Sequence, residues 1–429
     1  MSVDKIFIKS FFNNFEEESF TVKLWDEEEI KVGQDESLFK VILNKPISKK
    51  ELLQSATLAF GEAYMDGNLE VEGDFLTMLN TVLKYKSKFS TDFKGLPKIF
   101  SNLTSQKKQK EEVSYHYDLG NDFYSLWLDD TLSYSCGYFK SENDSLYDAQ
   151  MNKIHHLLKK LNLKEGESLL DIGCGWGSLL IEAAKNYKVK GLGITLSEEQ
   201  YKKFKSRIEE ENLQDYLEVR LMDYRELEKS GLLFDRVVSV GMLEHVGRPN
   251  YDLFMKNVSK VLKKEGIFVL HYISGLIESQ GDAWMRKYIF PGGVIPSLRE
   301  IVSLSADYKF YTTDIESLRT HYMKTLLKWA ENFENNIDTV REMFDERFVR
   351  MWTMYLYSCA ACFNTGVIDL HQIVFTNGVN NSNPLTRDYL GRRSRTTPRP
   401  PRHRGDEGLR LLHGLEANLA TSLQTPQEA

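Results

Sequence analysis

Leu169-Leu-Asp-Ile-Gly-Cys-Gly-Trp-Gly177 is the segment that decides the fold of this chain, because it predicts a buried strand that ends in a glycine-rich turn. Gly173, Gly175 and Gly177 allow the backbone to turn tightly and to approach a ligand without a Cβ in the way. Residues 178–186 then show the pattern of a helix. A strand, a glycine-rich turn and a helix in this order indicate a nucleotide-binding unit of an α/β domain.

The alternation of strands and helices continues along the chain. Candidate strands lie at 168–172, 189–194, 217–221, 235–240 and 266–270, with helix-length segments between them. This pattern predicts an α/β fold, a Rossmann-like domain with an open parallel sheet. We expect a smaller, mostly helical N-terminal domain at 1–100, a linker at 101–112, the α/β domain at 113–390 and a separate tail at 391–429.

Composition excludes several classes of protein. Of the 429 residues 41% are hydrophobic, so at least one domain can bury a sizeable core, and a net charge of −7 argues against a surface built for nucleic acid. Four cysteines, Cys136, Cys174, Cys359 and Cys362, are too few for a disulfide scaffold and favour a reducing, cytoplasmic compartment. The N-terminus does not resemble a signal peptide, and there is no apolar run of about 18 residues, so we expect any membrane contact to be peripheral.

Lysines are concentrated between residues 84 and 110. Eight lysines stand there against one acid, Asp92, which gives a local charge of +7, and Phe89 and Phe93 lie among them. A solvated linker is one interpretation of this segment. The other is a basic surface for anionic phospholipid headgroups, where each lysine contributes about 1 kcal/mol.

The tail differs from the rest of the chain in its cationic residues. Residues 391–429 contain 7 Arg and no Lys, whereas residues 1–390 contain 12 Arg and 36 Lys. This switch favours a vector-derived extension. A disordered basic tail that ends in a short helix is the other interpretation.

The ends of the predicted strands narrow the choice of ligand. A dinucleotide site has an acid about 20 residues after the glycines, whereas here the second strand ends in Gly193-Ile-Thr-Leu-Ser197. We expect Asp171, Thr195 and Asp223 to converge at the carboxyl edge of the sheet, where ligands of open α/β folds bind. Gln200 fits a capping box with Ser197, and the spacing does not decide whether it also faces a ligand.

With these motifs, the sequence resembles the S-adenosylmethionine-dependent methyltransferases, specifically the family of cyclopropane fatty acid synthases and mycolic acid cyclopropane synthases. The resemblance covers about residues 55–390. Besides the glycine loop, its carriers are Gly61-Glu-Ala-Tyr-Met-Asp-Gly67, Tyr115-His-Tyr-Asp-Leu-Gly-Asn-Asp-Phe-Tyr124, Tyr134-Ser-Cys-Gly-Tyr-Phe139, Ser239-Val-Gly-Met-Leu-Glu-His-Val-Gly247, Lys287-Tyr-Ile-Phe-Pro-Gly-Gly-Val-Ile-Pro296 and Tyr357-Ser-Cys-Ala-Ala-Cys362. It implies a class I methyltransferase fold, and the segment from Gly61 favours the longer phospholipid enzymes of the family.

The resemblance also implies which residues bind S-adenosylmethionine. Tyr134 and Ser135 would close over the cofactor, and the three glycines would lie against its amino acid part. Asp171, just before the glycine loop, would either order the turn or meet a cationic amino group. Thr195, Leu196 and Gln200 would serve the ribose. Asp223 and Tyr224 would serve the adenine.

The chemistry that the resemblance implies is methyl transfer to a cis double bond of a phospholipid acyl chain, followed by loss of a proton and ring closure. A bound bicarbonate would be the base, held by Cys136, Glu244, His271, Tyr322 and the backbone of Ile273. The sequence independently supports Glu244 and His271, which follow the fourth and fifth predicted strands and therefore lie at the ligand edge. Glu244 would accept the proton through the bicarbonate or through His271.

Other interpretations of these residues stay open. Glu244 and His245 also fit an exposed helix start, and His271 fits a buried histidine with satisfied hydrogen bonds. Cys359 matches an active-site cysteine of the family and is expected to line the pocket, while its C-x-x-C pair lacks the partners that zinc needs. Aromatic residues that either stabilise a cation or belong to the core are Tyr138, Phe139, Tyr272, Tyr288, Phe290 and Tyr322.

We therefore predict a cyclopropane-fatty-acyl-phospholipid synthase that acts on unsaturated phospholipid in the bilayer. It would be a cytoplasmic homodimer, peripheral on the inner face of the membrane, with no metal and no nucleic acid. One alternative is a lipid methyltransferase that gives methyl-branched or hydroxylated chains. The other is a non-catalytic lipid-binding module, against which the presence of Cys136, Glu244, His271 and Tyr322 argues.

Overall fold

The computed structural model describes residues 3–15, 17–85 and 119–391. Residues 3–85, the N-terminal region, combine helices with a small sheet. Its elements are α1 (Val3–Phe12), β1 (Phe20–Lys23), β2 (Glu29–Val32), β3 (Phe39–Leu43), α2 (Lys49–Gln54), α3 (Ala56–Met65), β4 (Leu69–Gly73) and α4 (Phe75–Lys84).

Helices hold more residues of the N-terminal region than strands do, as expected, but the region is built on a sheet. Its strands lie in the order β2-β1-β3-β4, with β1 parallel to β3 and the other pairs antiparallel. Phe20, Val22, Phe39 and Val41 alternate with less buried residues and share one core with Ile8 of α1. β1 alternates buried and less buried residues with the period of two that a half-buried strand has.

The second described part, residues 119–391, carries the larger sheet. Its helices are α5 (Asn121–Ser125), α6 (Leu146–Lys160), α7 (Ser178–Tyr187), α8 (Glu198–Glu210), α9 (Leu227–Ser230), α10 (Leu243–Val246), α11 (Tyr251–Val261), α12 (Ala283–Tyr288), α13 (Leu298–Asp307), α14 (Arg319–Asn335), α15 (Ile337–Met343), α16 (Glu346–Asn364) and α17 (Asp388–Gly391). Its strands are β5 (Ser168–Ile172), β6 (Lys190–Thr195), β7 (Leu217–Leu221), β8 (Phe234–Val240), β9 (Leu262–Gly275), β10 (Phe310–Ser317) and β11 (Ile368–Asn377).

The central sheet has the strand order β10-β11-β9-β8-β5-β6-β7. The five strands β5 to β9 are parallel, as predicted, and β9 is longer than the predicted strand. β10 and β11 are antiparallel additions at one edge that the sequence did not predict. All parallel strands therefore end at one edge, which is where an open α/β sheet binds its ligand.

Helices cover both faces of this sheet. One cluster contains Ile154 of α6, Leu180 of α7 and Phe204 of α8, and another contains Phe254 of α11 and Ile301 of α13. Burial on both faces explains why the strands are continuous apolar runs rather than alternating ones.

The N-terminal region packs against α12 and α16 of the second described part. A Cβ on Gly61 of α3 would lie 2.4 Å from the ring of Trp284, so only glycine fits there. The guanidinium of Arg350 donates to the carbonyl oxygen of Leu69 (2.9 Å) and to the carboxylate of Glu70 (3.0 Å). This is the structural role of the Gly61–Gly67 segment, which lies far from the glycine loop in sequence.

Two sequence features fall largely outside the described residues. Most of the lysine-rich segment, from residue 86 on, and the predicted linker at 101–112 lie there. Residues 1–390 form one compact unit, and of the second unit, 391–429, only Gly391 is described. Among the helices of the described part, none is both long and apolar enough to cross a membrane.

Candidate active site

The glycine loop connects β5 to α7 and forms the floor of a pocket. Gly173, Gly175 and Gly177 all have positive φ values, of 84°, 54° and 88°. A Cβ on Gly177 would lie 2.0 Å from the ring of Phe204, so both the backbone conformation and the packing require glycine there. The loop therefore presents backbone, not side chains, to the pocket.

The pocket has a volume of roughly 150 Å³ and lies at the carboxyl edge of the parallel strands. The structure brings nearly all predicted cofactor residues to its wall. Those lining it are Tyr134, Ser135, Asp171, Gly173, Gly175, Gly177, Thr195, Leu196, Gln200 and Tyr224.

Asp223 is the predicted cofactor residue that does not line the pocket. Its carboxylate accepts two hydrogen bonds from the guanidinium of Arg225, at 2.9 Å and 2.6 Å, and one from the Arg225 backbone. Its contact with adenine stays a prediction, and such a contact would compete with this ion pair.

Thr195 and Gln200 form the wall at the end of β6. The Ser197 side chain accepts from the backbone N–H of Gln200, which caps α8. The Gln200 side chain does not return to the cap, because its Oε1 accepts from the Thr195 hydroxyl at 2.7 Å. The hydrogen bond from the Gln200 backbone to Ser197 thus forms, but the reciprocal one from the capping box does not. The Gln200 side chain is held at the pocket by Thr195 instead.

Lys153 is a charged residue of the pocket wall that the sequence did not predict. It lies on α6, is 4% exposed and donates to the Ser135 hydroxyl at 3.0 Å. Burial lowers the pKa of Lys153 to about 8, which leaves it mainly protonated at neutral pH. The signal that could have found it is a lysine at a core-facing position of an amphipathic helix.

Asp171 is the acidic counterpart of Lys153 in the pocket. Its Oδ1 is buried and accepts no hydrogen bond from any described residue. Burial raises the pKa of Asp171 to about 7, and the charge of Lys153 opposes that rise. Asp171 and Lys153 are thus an acidic and a basic residue of the pocket that are both buried and incompletely paired.

Glu244 begins a second polar site next to the cofactor pocket. It lies on α10, and its Oε1 accepts from the backbone N–H of Ile273 at 2.6 Å. Its Oε2 is buried and has no hydrogen-bond partner among the described residues, and burial raises the pKa of Glu244 to about 7. The adjacent His245 lines the cofactor pocket, so α10 borders both sites and is not the exposed helix start that the sequence left open.

His271 lies within β9, which extends past the predicted strand to Gly275, and it pairs with Val240 at the end of β8. It is 1% exposed, and its Nδ1 is 3.0 Å from the Nε2 of Gln372. Its own Nε2 is buried and has no hydrogen-bond partner in the part of the chain that the structure describes. Burial lowers the pKa of His271 well below its ordinary value, so the ring is neutral.

The remaining predicted catalytic residues surround this second site. Tyr322 is close enough to Cys136, Glu244 and Cys359 for their charges to act on its pKa, which burial raises strongly. The Cys136 thiol is fully buried and donates to the carbonyl oxygen of Gly137 at 3.1 Å, and burial raises its pKa as well. Cys359 is half-buried on α16 with a raised pKa, which makes it a poor nucleophile.

The predicted aromatic residues divide between the site and the core. Phe290 lies 5.8 Å from the ring of His245, next to the site. Tyr138 stacks between His156 and His321, and Tyr272 is fully buried in the core of the sheet. Core packing is therefore the better interpretation for Tyr138 and Tyr272.

The fold and this pocket define a Rossmann-like class I S-adenosylmethionine-dependent methyltransferase. The solved structure of mycolic acid cyclopropane synthase CmaA1, complexed with SAH and CTAB, matches with a TM-score of 0.59 and 32% identity, over 62% of this chain and 98% of that chain. S-adenosylhomocysteine is thus bound in a structure of the same fold.

The chain belongs to the mycolic acid cyclopropane synthetase family, whose model matches residues 104–373. A second model, of a domain of unknown function, matches residues 7–94. The cyclopropane-fatty-acyl-phospholipid synthase of Escherichia coli (strain K12) is 41% identical over 340 residues, 77% of this chain and 86% of that protein. A protein of Pseudomonas putida named "Probable fatty acid methyltransferase" is 36% identical over 359 residues, 82% of this chain and 90% of that protein. The predicted family and enzyme class are confirmed, and these relatives support S-adenosylmethionine-dependent cyclopropanation.

We predict that Glu244→Gln stabilises the folded protein above pH 7. A carboxyl whose pKa is raised on folding stabilises the fold fully below its unfolded pKa, and this contribution is lost as the pH rises through the folded pKa, about 7 here. The amide avoids that loss, so we expect a gain in the free energy of unfolding of about 1–3 kcal/mol at pH 8 that shrinks toward pH 4. Urea unfolding at both pH values measures it.

The matched control for this prediction is Glu209→Gln on the exposed face of α8. It should change the free energy of unfolding equally little at both pH values. A Glu244→Gln effect that is independent of pH would contradict the assignment of a buried, protonatable carboxyl.

Proposed function

We propose that the protein is a cyclopropane-fatty-acyl-phospholipid synthase that transfers a methylene from S-adenosylmethionine to the cis double bond of a phospholipid acyl chain. The observation that carries this proposal is the meeting of two sites at α10. His245 lines the cofactor pocket, while the preceding residue, Glu244, has a buried oxygen without a partner. A methyl donor and a proton acceptor are needed next to each other by this reaction.

The reaction itself sets what the chain must do. The methyl carbon bonds to one alkene carbon as its bond to sulfur breaks, and the electron pair stays on sulfur, giving S-adenosylhomocysteine. The other alkene carbon becomes cationic. One methyl hydrogen then leaves as a proton, and its bonding pair closes the ring.

The second site fits a small oxyanion such as bicarbonate. Glu244 Oε2 and His271 Nε2 are both buried without partners among residues 3–15, 17–85 and 119–391, and each such atom costs about 1–3 kcal/mol. An ionised Glu244 would repel an anion, but its pKa of about 7 allows it to be protonated and to donate instead. When bound, bicarbonate supplies the base for the methyl proton.

Aromatic rings beside this site support the handling of a carbocation. Phe290 and Tyr355 are in edge-to-face contact at 5.7 Å, and Tyr322 lies 4.6 Å from the ring of Phe363. Aromatic faces attract a cation, and their packing excludes the water that would otherwise capture it. Water exclusion is what separates ring closure from hydroxylation.

The amino acid end of the cofactor matches the two buried charges of the cofactor pocket. S-adenosylmethionine carries an α-ammonium and an α-carboxylate. Asp171 has a free Oδ1 for the ammonium, and Lys153 supplies the cation for the carboxylate. We infer that Asp171 and Lys153 bind the zwitterionic end of S-adenosylmethionine, since each side chain gains the charge partner that it lacks.

Lys153→Met is expected to weaken S-adenosylmethionine binding by 10-fold or more, which is about 1.4 kcal/mol. It should weaken decarboxylated S-adenosylmethionine far less, because that ligand has no carboxylate for Lys153. Isothermal titration calorimetry of both ligands against wild type and variant measures the difference. An equal loss for both ligands would mean that Lys153 only supports Ser135. Lys185→Met, at the exposed end of α7, is the matched control.

Contact with an anionic phospholipid surface is the second part of the proposal. The lysine-rich segment supplies positive charge. The loop after β9 supplies apolar side chains, since Leu276 is 86% and Ile277 is 60% exposed. This loop follows the carboxyl end of β9, at the same edge of the sheet as the active site, and we infer that an acyl chain enters beside it. The predicted location on the inner face of the membrane and the homodimer stay predictions.

We expect the double change Leu276→Ser and Ile277→Ser to reduce binding to vesicles of anionic phospholipid at least several-fold in a sedimentation assay. Leu233→Ser is the matched control, because Leu233 is 57% exposed but precedes β8 at the opposite edge of the sheet. Equal binding by all three proteins would refute a role of this loop.

The alternative product is a methyl-branched chain. The similarity to the probable fatty acid methyltransferase of Pseudomonas putida favours a test of this alternative. Wild-type protein is incubated with S-adenosylmethionine and unsaturated phosphatidylglycerol vesicles, with bicarbonate removed or added. We expect a product that gains CH2, takes up no hydrogen on mild catalytic hydrogenation and forms only with bicarbonate. A product that takes up hydrogen or contains oxygen would contradict cyclopropanation, whereas a rate indifferent to bicarbonate would contradict only the base.

A further inference from the structure

A row of polar side chains lies behind His271, on the side away from its unpartnered Nε2. His271 of β9 pairs in register with Gln372 of β11, and Gln372 pairs with Glu316 of β10. Directly paired residues of adjacent strands point to the same face of a sheet. His156 and Lys160 of α6, one turn apart, lie against this face.

Hydrogen bonds join the row into one chain. The Lys160 ammonium donates to Gln372 Oε1 at 2.8 Å and also to the Glu316 carboxylate. His156 Nε2 lies 2.7 Å from the same carboxylate. Gln372 Nε2 is 3.0 Å from His271 Nδ1. His271, Gln372 and Lys160 are all buried.

Only one arrangement of protons satisfies this chain. An ammonium has donors and no acceptor, so the oxygen of the Gln372 amide must face Lys160. The NH2 of that amide must then face His271, and it can only donate. His271 Nδ1 is therefore the acceptor, and the one proton of the neutral ring is on Nε2.

We propose that Lys160 and Gln372 are positioning residues that hold His271 in the neutral tautomer with hydrogen on Nε2, so that His271 donates a hydrogen bond into the active site and does not accept the proton of the reaction. Lys160 acts on His271 through the side chain of Gln372, and neither Lys160 nor Gln372 touches the reacting atoms. The proposed function enters this inference only as the identity of the group that accepts the hydrogen bond from His271 Nε2.

The charges around His271 maintain the neutral ring. Lys153, Lys160 and His156 oppose its protonation, and Glu316 favours it. Glu316 does not reach His271, because its carboxylate is held by Lys160 and His156, which keep the pKa of Glu316 near 2 against the effect of burial. Of the two routes that the sequence left open, proton acceptance through His271 is therefore excluded by this proposal, and acceptance at Glu244 or at a bound anion remains.

The test is nitrogen-15 NMR of the full-length protein labelled at histidine. His271→Gln identifies the His271 signals by their loss. We expect an unprotonated Nδ1 and a protonated Nε2, unchanged from pH 8 to pH 5.5. The reverse tautomer, or titration near the ordinary histidine pKa of about 6.5, would overturn the proposal. The spectrum needs no catalytic turnover, so a wrong substrate assignment does not affect it.

Gln372→Glu tests whether the hydrogen bond from Gln372 fixes the tautomer of His271. A carboxylate at this position accepts, so we expect the His271 Nδ1 signal to move to the protonated range. His371 is the internal control, because its Nδ1 contacts the Ser274 hydroxyl and it points to the other face of β11. An unchanged His271 signal in a folded Gln372→Glu protein would overturn the role of Gln372, and if this variant does not fold, the wild-type spectrum alone decides the tautomer.

Discussion

One helix, α6, carries polar side chains into the interior, and the rest of the site depends on how their burial is compensated. Lys153, His156 and Lys160 are at most 6% exposed, although lysine is rarely buried without a partner. Burying an unpaired charge costs several kcal/mol, so each of these residues has to be paired. Lys160 takes its partners from β10 and β11, whereas Lys153 has only the Ser135 hydroxyl within hydrogen-bond distance among the described contacts. The incomplete pairing of Lys153 marks the cofactor pocket, and the complete pairing of Lys160 orients His271.

The parallel sheet could be predicted because its strands are apolar runs at regular spacing, and β5 to β9 lie close to the predicted positions. The antiparallel strands could not. β11 contains Asp369, His371 and Gln372 among its apolar residues, and β10 is largely exposed, so neither shows a clear period. These two strands matter for function, because Gln372 and the Glu316 that anchors Lys160 lie on them. The N-terminal sheet was hidden in the same way by short strands with exposed edges.

The sequence predicted which residues lie near strand ends at the ligand edge, but it did not predict that α6 supplies Lys153 to the pocket. Asp171, Thr195, Glu244 and His271 all follow from the position of strand ends at one edge of the sheet. Lys153 did not, since a lysine in an amphipathic helix is normally assigned to the solvent face. Packing decides such cases, because the sequence does not tell which helix face meets a pocket. The family resemblance supplied the remaining residues without showing how they are held.

A crystal structure of the protein with S-adenosylhomocysteine and bicarbonate bound would test the two sites most directly. We expect the ammonium of the cofactor at Asp171, its carboxylate at Lys153, and a small anion between Glu244 and the Nε2 of His271. A cofactor whose amino acid part lies away from Asp171 and Lys153, or a water-filled cavity with no anion at Glu244, would contradict it.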